Sequence, residues 1–375
     1  MAPATTQFSP DFISPPGETL QDLLDERSMT QAELAERMGR PVKTVNEIVK
    51  GKAAITPETS LQLERVLAVP SSFWLIREQK YRERLARAKE SERLKPHVVW
   101  MKETFPLKHM CDLGWIEGYS RREDRQVDLL RNLLQFFGTA SRNQWNAIWM
   151  DAAHTASFRK SLKFESNPGS IAAWLRKGEL DAIKVDCTRF HRGRFKEALA
   201  EIRLLTTAQP EEFVPRSVEL CARSGVAFVL TPQVKGARVS GATRWLDPEK
   251  ALIQLSLRYK TDDQFWFTFF HEAAHLILHG KREVFLEGIE DPGQRHHEME
   301  ADRFAADFLI PKDKYQDLVD ASPPTERSVR RFAKDIGVAP GIVVGRLQHD
   351  GHVPYSDLNG LKRTLSWVKR GPKAI

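Results

Sequence analysis

The segment HEAAH, residues 271–275, constrains this chain more than any other feature of its sequence. Its histidines, His271 and His275, are four residues apart, so on a helix they lie on one face and both can bind one Zn²⁺ ion. Glu272 lies beside them, where its carboxylate would take a proton from a water molecule on that ion. The surrounding run FWFTFFHEAAHLILHG is strongly apolar, which predicts a buried helix. Burying polar side chains without partners is costly, so the pattern indicates a metal site with a catalytic base.

A second segment, HHEMEADRFAADFLIP, supports this interpretation, because an isolated H-E-x-x-H string also occurs by chance. Its apolar residues recur at helical spacing. Glu298 is predicted to complete a His, His, Glu ligand set, which leaves the fourth zinc position to water. Asp302, one turn further along, is predicted to accept the other ring N–H of a zinc-bound histidine. Glu300 is the alternative third ligand.

Three further histidines accompany the two segments. His279 lies on the same helix face as His275, and we expect it to support the site rather than to bind the metal. His296 or His297 could hydrogen-bond the oxyanion that forms when a peptide carbonyl is attacked. A role at the surface is the alternative for both.

Composition bounds the class of protein. The chain has 375 residues, enough for two or three domains, and no apolar stretch of bilayer-spanning length. Its first residues lack the basic and apolar regions of a secretory signal, and its three cysteines form no C-x-x-C pair. We therefore expect a cytoplasmic protein with no membrane partner. The net charge of +7 permits an anionic partner without requiring one.

The predicted fold class is α+β and predominantly α. Short apolar strands are expected near residues 225–230, 238–246 and 251–255. Trp145, Trp149 and Phe158 are expected in a core rather than around a ligand pocket. The segment RRFAKDIGVAPGIVVGRLQHDG resembles a second helix-turn-helix in outline, but we expect it to pack as a helical cap.

The predicted regions are a disordered lead-in (1–16), a helix-turn-helix bundle (17–75), a charged connecting helix (76–95), a helical middle region (96–223), a small-sheet, zincin-like metallopeptidase domain with its helical C-terminal cap (224–355) and a C-terminal tail (356–375).

The helix-turn-helix prediction depends on the order helix, tight turn, helix around Gly39. Thr30 and Glu33 have capping-box spacing at the start of the helix before the turn. Ala35 is small, as two closely packed helices require. The helix after the turn, with Val45 and Ile48 on its buried face, is predicted to read DNA.

The polar residues of these two helices are the candidate DNA contacts. Base edges are usually contacted near the N-terminal end of the reading helix, where Lys43, Thr44 and Asn46 lie. Phosphate contacts are assigned to Gln31, Lys50 and Lys52. The alternative is a four-helix protein-interaction module with a solvated polar face. The nearly balanced charge of the region favours this alternative, because domains that bind DNA tightly are usually basic. Operators of such domains are usually paired half-sites, so a homodimer is expected by analogy.

The two segments HEAAHLILHG and HHEMEADRFAADFLIP resemble the ImmA/IrrE family of zinc metallopeptidases over residues 225–311. The resemblance implies zinc ligands at His271, His275 and Glu298, with Glu272 as the base. Ala274 stands where Gly is common in the family, and Asp302 stands where Asn is common.

Residues 29–75 resemble the helix-turn-helix of HigA-type antitoxins in the XRE class, through T-Q-x-x-L-A, K-G-K-x-x-I-T-P-E and the final FWL. Together the two resemblances imply a prokaryotic, DNA-binding transcriptional regulator fused to a zinc metalloendopeptidase. Its expected substrate is a helix-turn-helix repressor or antitoxin in stress or mobile-element control. The alternative is a HigA-like antitoxin or repressor whose zincin domain senses or binds a partner without turnover.

Overall fold

A computed structural model describes residues 14–151, 167–279, 285–286, 295–321 and 323–367. The chain divides into two compact units, residues 1–97 and 98–375. Both units are mainly helical and the second contains one small sheet, which confirms the predicted α+β, predominantly α class. Most of the expected lead-in and Phe158 lie outside the described residues.

The first unit is a bundle of helices around a core that includes Leu34, Ile48 and Trp74. Gly39 takes a left-handed conformation, with φ of 63°, between the second and third helices, as the tight turn requires. The fifth helix runs unbroken across the expected boundary at 75/76, so the connecting segment is part of this unit. The helices are α1 (Pro16–Glu26), α2 (Gln31–Met38), α3 (Val42–Val49), α4 (Pro57–Leu67) and α5 (Ser71–Leu94).

The second unit combines the helical middle region with the sheet, so the boundary expected at 223/224 falls inside it. Trp145 and Trp149 are buried among other aromatic rings, as expected for core residues. Its first helices are α6 (Val98–Thr104), α7 (Leu107–Asp112), α8 (Gln126–Phe137), α9 (Arg142–Asn146), α10 (Pro168–Ile183), α11 (Arg192–Leu204) and α12 (Pro210–Ala222). After the first three strands follow α13 (Asp262–Leu278), α14 (Arg295–Leu309), α15 (Lys312–Ala321), α16 (Glu326–Ile336) and α17 (Pro340–His349).

The sheet has the strand order β1-β3-β2-β4. Its strands are β1 (Val226–Leu230), β2 (Gly241–Asp247), β3 (Lys250–Leu255) and β4 (Phe285–Leu286), the last of which the sequence did not predict. β1 is parallel to β3, and β2 is antiparallel to both β3 and β4. Alternate residues of β1 enter different hydrophobic clusters, Phe228 with α13 and Ala227 with Ala182 of α10. The sheet is therefore buried on both faces.

Aromatic contacts fix α13, the helix that carries residues 271–275. Phe269 packs edge-on against Phe228 of β1, with ring centroids 5.0 Å apart. On another side of α13, Phe270 packs against Phe308 of α14 at 5.1 Å. Ala274 and Ala301 are fully buried on α13 and α14, and such small side chains allow two helices to approach closely. The two predicted motif segments are thus neighbouring helices.

The C-terminal segment differs from the expected tail in its described part. Arg363 makes two hydrogen bonds to the buried carboxylate of Asp262. Its backbone N–H donates to Oδ1 and its side-chain Nε donates to Oδ2, both at 2.9 Å. Lys362 pairs with buried Asp263 at 2.7 Å. These contacts hold residues 362–363 against the first turn of α13, so this stretch belongs to the domain. The helices α16 and α17, joined at Gly337, pack as the expected cap, with α17 against α13.

Candidate functional sites

Three side chains from α13 and α14 converge at one point. The Nε2 atoms of His271 and His275 are 3.1 Å apart. A carboxylate oxygen of Glu298 lies 3.1 Å from His271 Nε2, and its other oxygen lies 3.7 Å from His275 Nε2. Both imidazoles are buried, while Glu298 is partly exposed. The structure therefore brings together all three residues that the sequence singled out as ligands.

The spacing of these donor atoms fits a tetrahedral zinc ion. Zinc bonds of about 2.0–2.1 Å at tetrahedral angles place neighbouring ligand atoms about 3.3 Å apart. The observed separations of 3.1, 3.1 and 3.7 Å fall on either side of that value. Two imidazoles and one carboxylate are also the donor set of a catalytic zinc site, which keeps one position for water.

The second ring nitrogen of each histidine is also engaged. His271 Nδ1 lies 2.9 Å from the carboxylate of Asp302, the residue expected from the sequence to support a zinc-bound histidine. His275 Nδ1 lies 2.9 Å from Nδ1 of His279, and His279 Nε2 lies 3.2 Å from Glu300. A hydrogen bond that leaves the proton on Nδ1 keeps a lone pair on Nε2, the atom that faces the other two ligands.

Burial sets the charge state of the inner histidine. Loss of solvent lowers the pKa of His275 to about 2, and repulsion from His271, His279 and His297 acts in the same direction. His275 is therefore neutral near pH 7, the state in which an imidazole binds metal.

Glu272 is fully buried on α13, and strand β2 packs directly against it. A Cβ atom at Gly241, the first residue of β2, would lie 2.5 Å from the Glu272 carboxylate. Thr243 of the same strand donates its hydroxyl to the backbone oxygen of Glu272 at 3.0 Å. The absence of a side chain at Gly241 thus makes room for this carboxylate.

The remaining residues expected near the site lie on its outer side. Glu300, the alternative third ligand, contacts His279 instead of the pair of buried imidazoles. The exposed His296 lies 3.4 Å from Glu300, and the His297 ring packs on the His279 ring, with centroids 4.3 Å apart. The sequence did not predict the contact between Glu300 and His279. That contact arises because α13 packs against α14, and the packing of two distant helices is not visible in the sequence.

In the first unit, α2 and α3 form the predicted helix-turn-helix. The Thr30 side chain and Glu33 form the predicted capping box at the start of α2. Lys43, Lys50 and Lys52 are exposed, and Thr44 is half-buried. The ammonium group of Lys43 lies 3.9 Å from Glu47.

A hydrogen-bonded chain of amides links the helices of this unit. Asn46 of α3 donates to Gln31 of α2 at 3.1 Å, and Gln31 donates to Gln21 of α1 at 2.7 Å. Sequence reasoning missed Gln21. The chain orients two of the candidate DNA contacts before any ligand binds, since each amide has a fixed partner.

Two family models match this chain. Residues 229–348 match a peptidase family described as "IrrE N-terminal-like domain". Residues 20–74 match the family described as "Helix-turn-helix". The protein thus joins a DNA-binding helix-turn-helix domain of the XRE type, near its N-terminus, to an IrrE-like peptidase domain.

Two known proteins are similar to part of this chain. The uncharacterized HTH-type transcriptional regulator YddM of Escherichia coli (strain K12) is 35% identical over 60 residues, which are 16% of this chain and 64% of YddM. The match therefore spans less than two thirds of that relative. A solved addiction module antidote protein of a HigA family from Coxiella burnetii has 27% identity over 22% of this chain and 91% of its own, with a TM-score of 0.21.

No helix in the described part of the chain combines the length and the apolar character needed to cross a lipid bilayer.

Proposed function

We propose that this protein is a DNA-binding transcriptional regulator whose C-terminal domain is a zinc-dependent endopeptidase. Its proposed substrate is a helix-turn-helix repressor or antitoxin protein, cleaved in stress or mobile-element control. The observation that carries the proposal is the fully buried side chain of Glu272, on the same helix as two imidazoles that converge with Glu298. A metal that only stabilised the fold would not need a base beside it.

His271, His275 and Glu298 would hold the ion. When bound, zinc supplies Lewis acidity that makes a water molecule easier to deprotonate. Glu272 takes the proton from that water and later delivers it to the amine that leaves. Gly241 allows the carboxylate to lie between α13 and β2, away from bulk solvent.

Residues that touch no substrate orient the ligands. Asp302 would accept the Nδ1 proton of His271, and His279 would accept that of His275, across contacts of 2.9 Å in both cases. Each contact fixes the ring and leaves Nε2 for the metal. The pair of contacts supports an active centre that is organised before substrate arrives.

The helix-turn-helix domain is proposed to bind double-stranded operator DNA through α3. Lys43, Thr44 and Asn46 would reach base edges, and Gln31, Lys50 and Lys52 would bind phosphates. The exposed lysines and the amide chain from Gln21 to Asn46 support this assignment.

The experiment uses the full chain reconstituted with zinc and the helix-turn-helix protein encoded by the adjacent gene. We expect mass spectrometry to detect one or a few defined cleavages. Glu272→Gln should slow cleavage by roughly 10²–10⁴-fold, the usual contribution of a general base, and should retain zinc.

Wild-type cleavage rates in the Glu272→Gln protein would contradict the assigned base. An intact partner together with tight operator binding would instead favour the antitoxin or repressor whose zincin domain has no turnover. Retention of zinc by the variant serves as the control for folding, because the three ligands remain in place.

A further inference from the structure

A second group of metal-binding side chains lies next to the proposed zinc centre. His279, His297 and Glu300 each offer one ligand atom, and these three atoms lie within 4.8 Å of one another. His279 Nε2 and a Glu300 oxygen are 3.2 Å apart, a normal separation for two ligands of one ion. We call this group the outer triad, and His271, His275 and Glu298 the inner triad.

The outer triad is more open to solvent than the inner triad on its carboxylate side. The side chain of Glu300 is 45% exposed and that of Glu298 is 27% exposed, whereas the His279 imidazole, at 2%, is as buried as those of His271 and His275. An ion from solution can therefore reach the outer triad, but water competes more strongly for its carboxylate. This predicts weaker binding at the outer triad than at the inner one.

A hydrogen bond between Nδ1 of His275 and Nδ1 of His279, at 2.9 Å, joins the two triads. A neutral imidazole carries a single proton, so one ring must donate from Nδ1 and the other must accept. The donor keeps a lone pair on Nε2, and the acceptor carries its proton on Nε2. Only the donor ring can therefore bind a metal ion through Nε2.

When His275 is the donor, its Nε2 keeps the lone pair that would bind the inner ion. His279 then carries a proton on Nε2 and donates it to Glu300, in agreement with their 3.2 Å separation. Binding of an ion at His279 Nε2 displaces that proton to solvent, and the proton of the hydrogen bond between the rings passes from His275 Nδ1 to His279 Nδ1. His275 then accepts at Nδ1 and takes a proton from solvent at Nε2, where the inner ion would bind. Protons balance, and the inner ligand is lost.

We propose that the outer triad is a second, weaker zinc site whose occupation expels the inner ion. Excess zinc would thus inhibit the protein by exchanging the tautomers of two neighbouring histidines. The inference depends on the proposed inner zinc centre and goes beyond it, since it assigns a regulatory site to residues outside the inner triad.

The test measures exchange of the inner ion in the full chain. The protein is stripped with a chelator, loaded with one equivalent of isotopically labelled zinc, and mixed with increasing concentrations of unlabelled Zn²⁺. Loss of a histidine's supporting partner typically costs 10–100-fold in metal affinity, so we expect release of the label to accelerate by roughly that factor at high free zinc.

His297→Gln is the diagnostic variant, because it removes an outer ligand and leaves the contacts from His275 to Glu300 in place. It should bind the labelled ion as wild type does and lose the acceleration. His349→Gln, an exposed histidine paired with Asp350, serves as the matched control and should behave as wild type. In Glu298→Gln, any remaining bound ion should disappear when His297→Gln is added.

Release that does not depend on free zinc in the wild type would overturn the proposal, as would acceleration that persists in His297→Gln. Failure of the inner centre has a different signature. If the wild-type chain binds no zinc ion tightly, both proposals are wrong. If it binds one tightly but unlabelled zinc does not accelerate release of the label, only the proposed second site is wrong.

Discussion

Asp302 of α14 accepts a hydrogen bond from His271 of α13, with 2.9 Å between the carboxylate oxygen and Nδ1. The acceptor is on a different helix from the histidine, so the contact both orients the ring and joins the two helices. It also explains why a carboxylate is compatible with this position, since a histidine with its proton on Nδ1 needs only an oxygen that accepts.

The first prediction concerns this contact. Asp302→Ala should weaken zinc binding by roughly 10–100-fold, because His271 loses the partner that fixes its tautomer. Asp302→Asn should retain most of the affinity, since the amide oxygen still accepts. Competition with a chromophoric chelator measures both effects. Asp307→Ala removes another carboxylate of α14, one that faces Arg303, and should leave the affinity unchanged; equal affinities in all variants would contradict the assigned role.

The second prediction concerns the space around Glu272. Gly241→Ala adds a Cβ that would lie 2.5 Å from the carboxylate, so the side chain or strand β2 must shift. We expect peptidase activity to fall at least about tenfold, as small displacements of catalytic groups do, while the bound zinc is retained.

Gly360→Ala is the control for that substitution, since a Cβ there meets no atom within 4 Å among the described residues. Activity assays with metal analysis of the same samples separate the two effects. Full activity in Gly241→Ala would show that Glu272 does not depend on this space, and loss of zinc would show that the whole site had moved.

The third prediction concerns the proposed DNA contacts. Lys52→Ala should weaken binding to all DNA sequences alike. It should also reduce the slope of log K against log salt concentration by about one in magnitude, as expected for a lost phosphate contact. Asn46→Ala should instead relax sequence preference, with a cost of about 1–3 kcal/mol at the preferred operator. Binding titrations at several salt concentrations measure both. Lys334→Ala, in the second unit, should change neither quantity, and an unchanged slope in Lys52→Ala would remove that residue from the interface.

Local patterns in the sequence were sufficient to predict much of this structure. The spacing of His271 and His275 places both on one helix face, and the capping box of Thr30 and Glu33 fixes where α2 begins. Such features depend on neighbours within a turn of helix. The inner triad could also be predicted, because a three-ligand site needs a carboxylate and Glu298 lies in a strongly periodic helix.

Contacts between distant segments could not be predicted in the same way. His279 and Glu300 meet only because α13 and α14 pack together, and Gly241 matters only because β2 lies against Glu272. The last described residues show the same limit. Arg363 is 101 positions from Asp262, and a charged stretch near the end of a chain is most simply interpreted as a solvated tail.

The fourth prediction follows from that pair. Asp262 is almost fully buried, and burial raises the pKa of its carboxyl although Arg363 lowers it. Arg363→Ala leaves the buried charge without its cation, and it removes donors to the carbonyls of Thr207 and Ala208 as well. We expect the free energy of unfolding to fall by about 3–5 kcal/mol. Adding Asp262→Asn should restore part of the lost free energy, because the neutral amide is less costly to bury. Urea titrations measure these changes.

Arg330→Ala is the control. It breaks an exposed pair with Glu326 and should lower the free energy of unfolding by less than about 1 kcal/mol. If Arg363→Ala lowered the free energy of unfolding as little as Arg330→Ala does, residues 362–363 would be dispensable for the stability of α13.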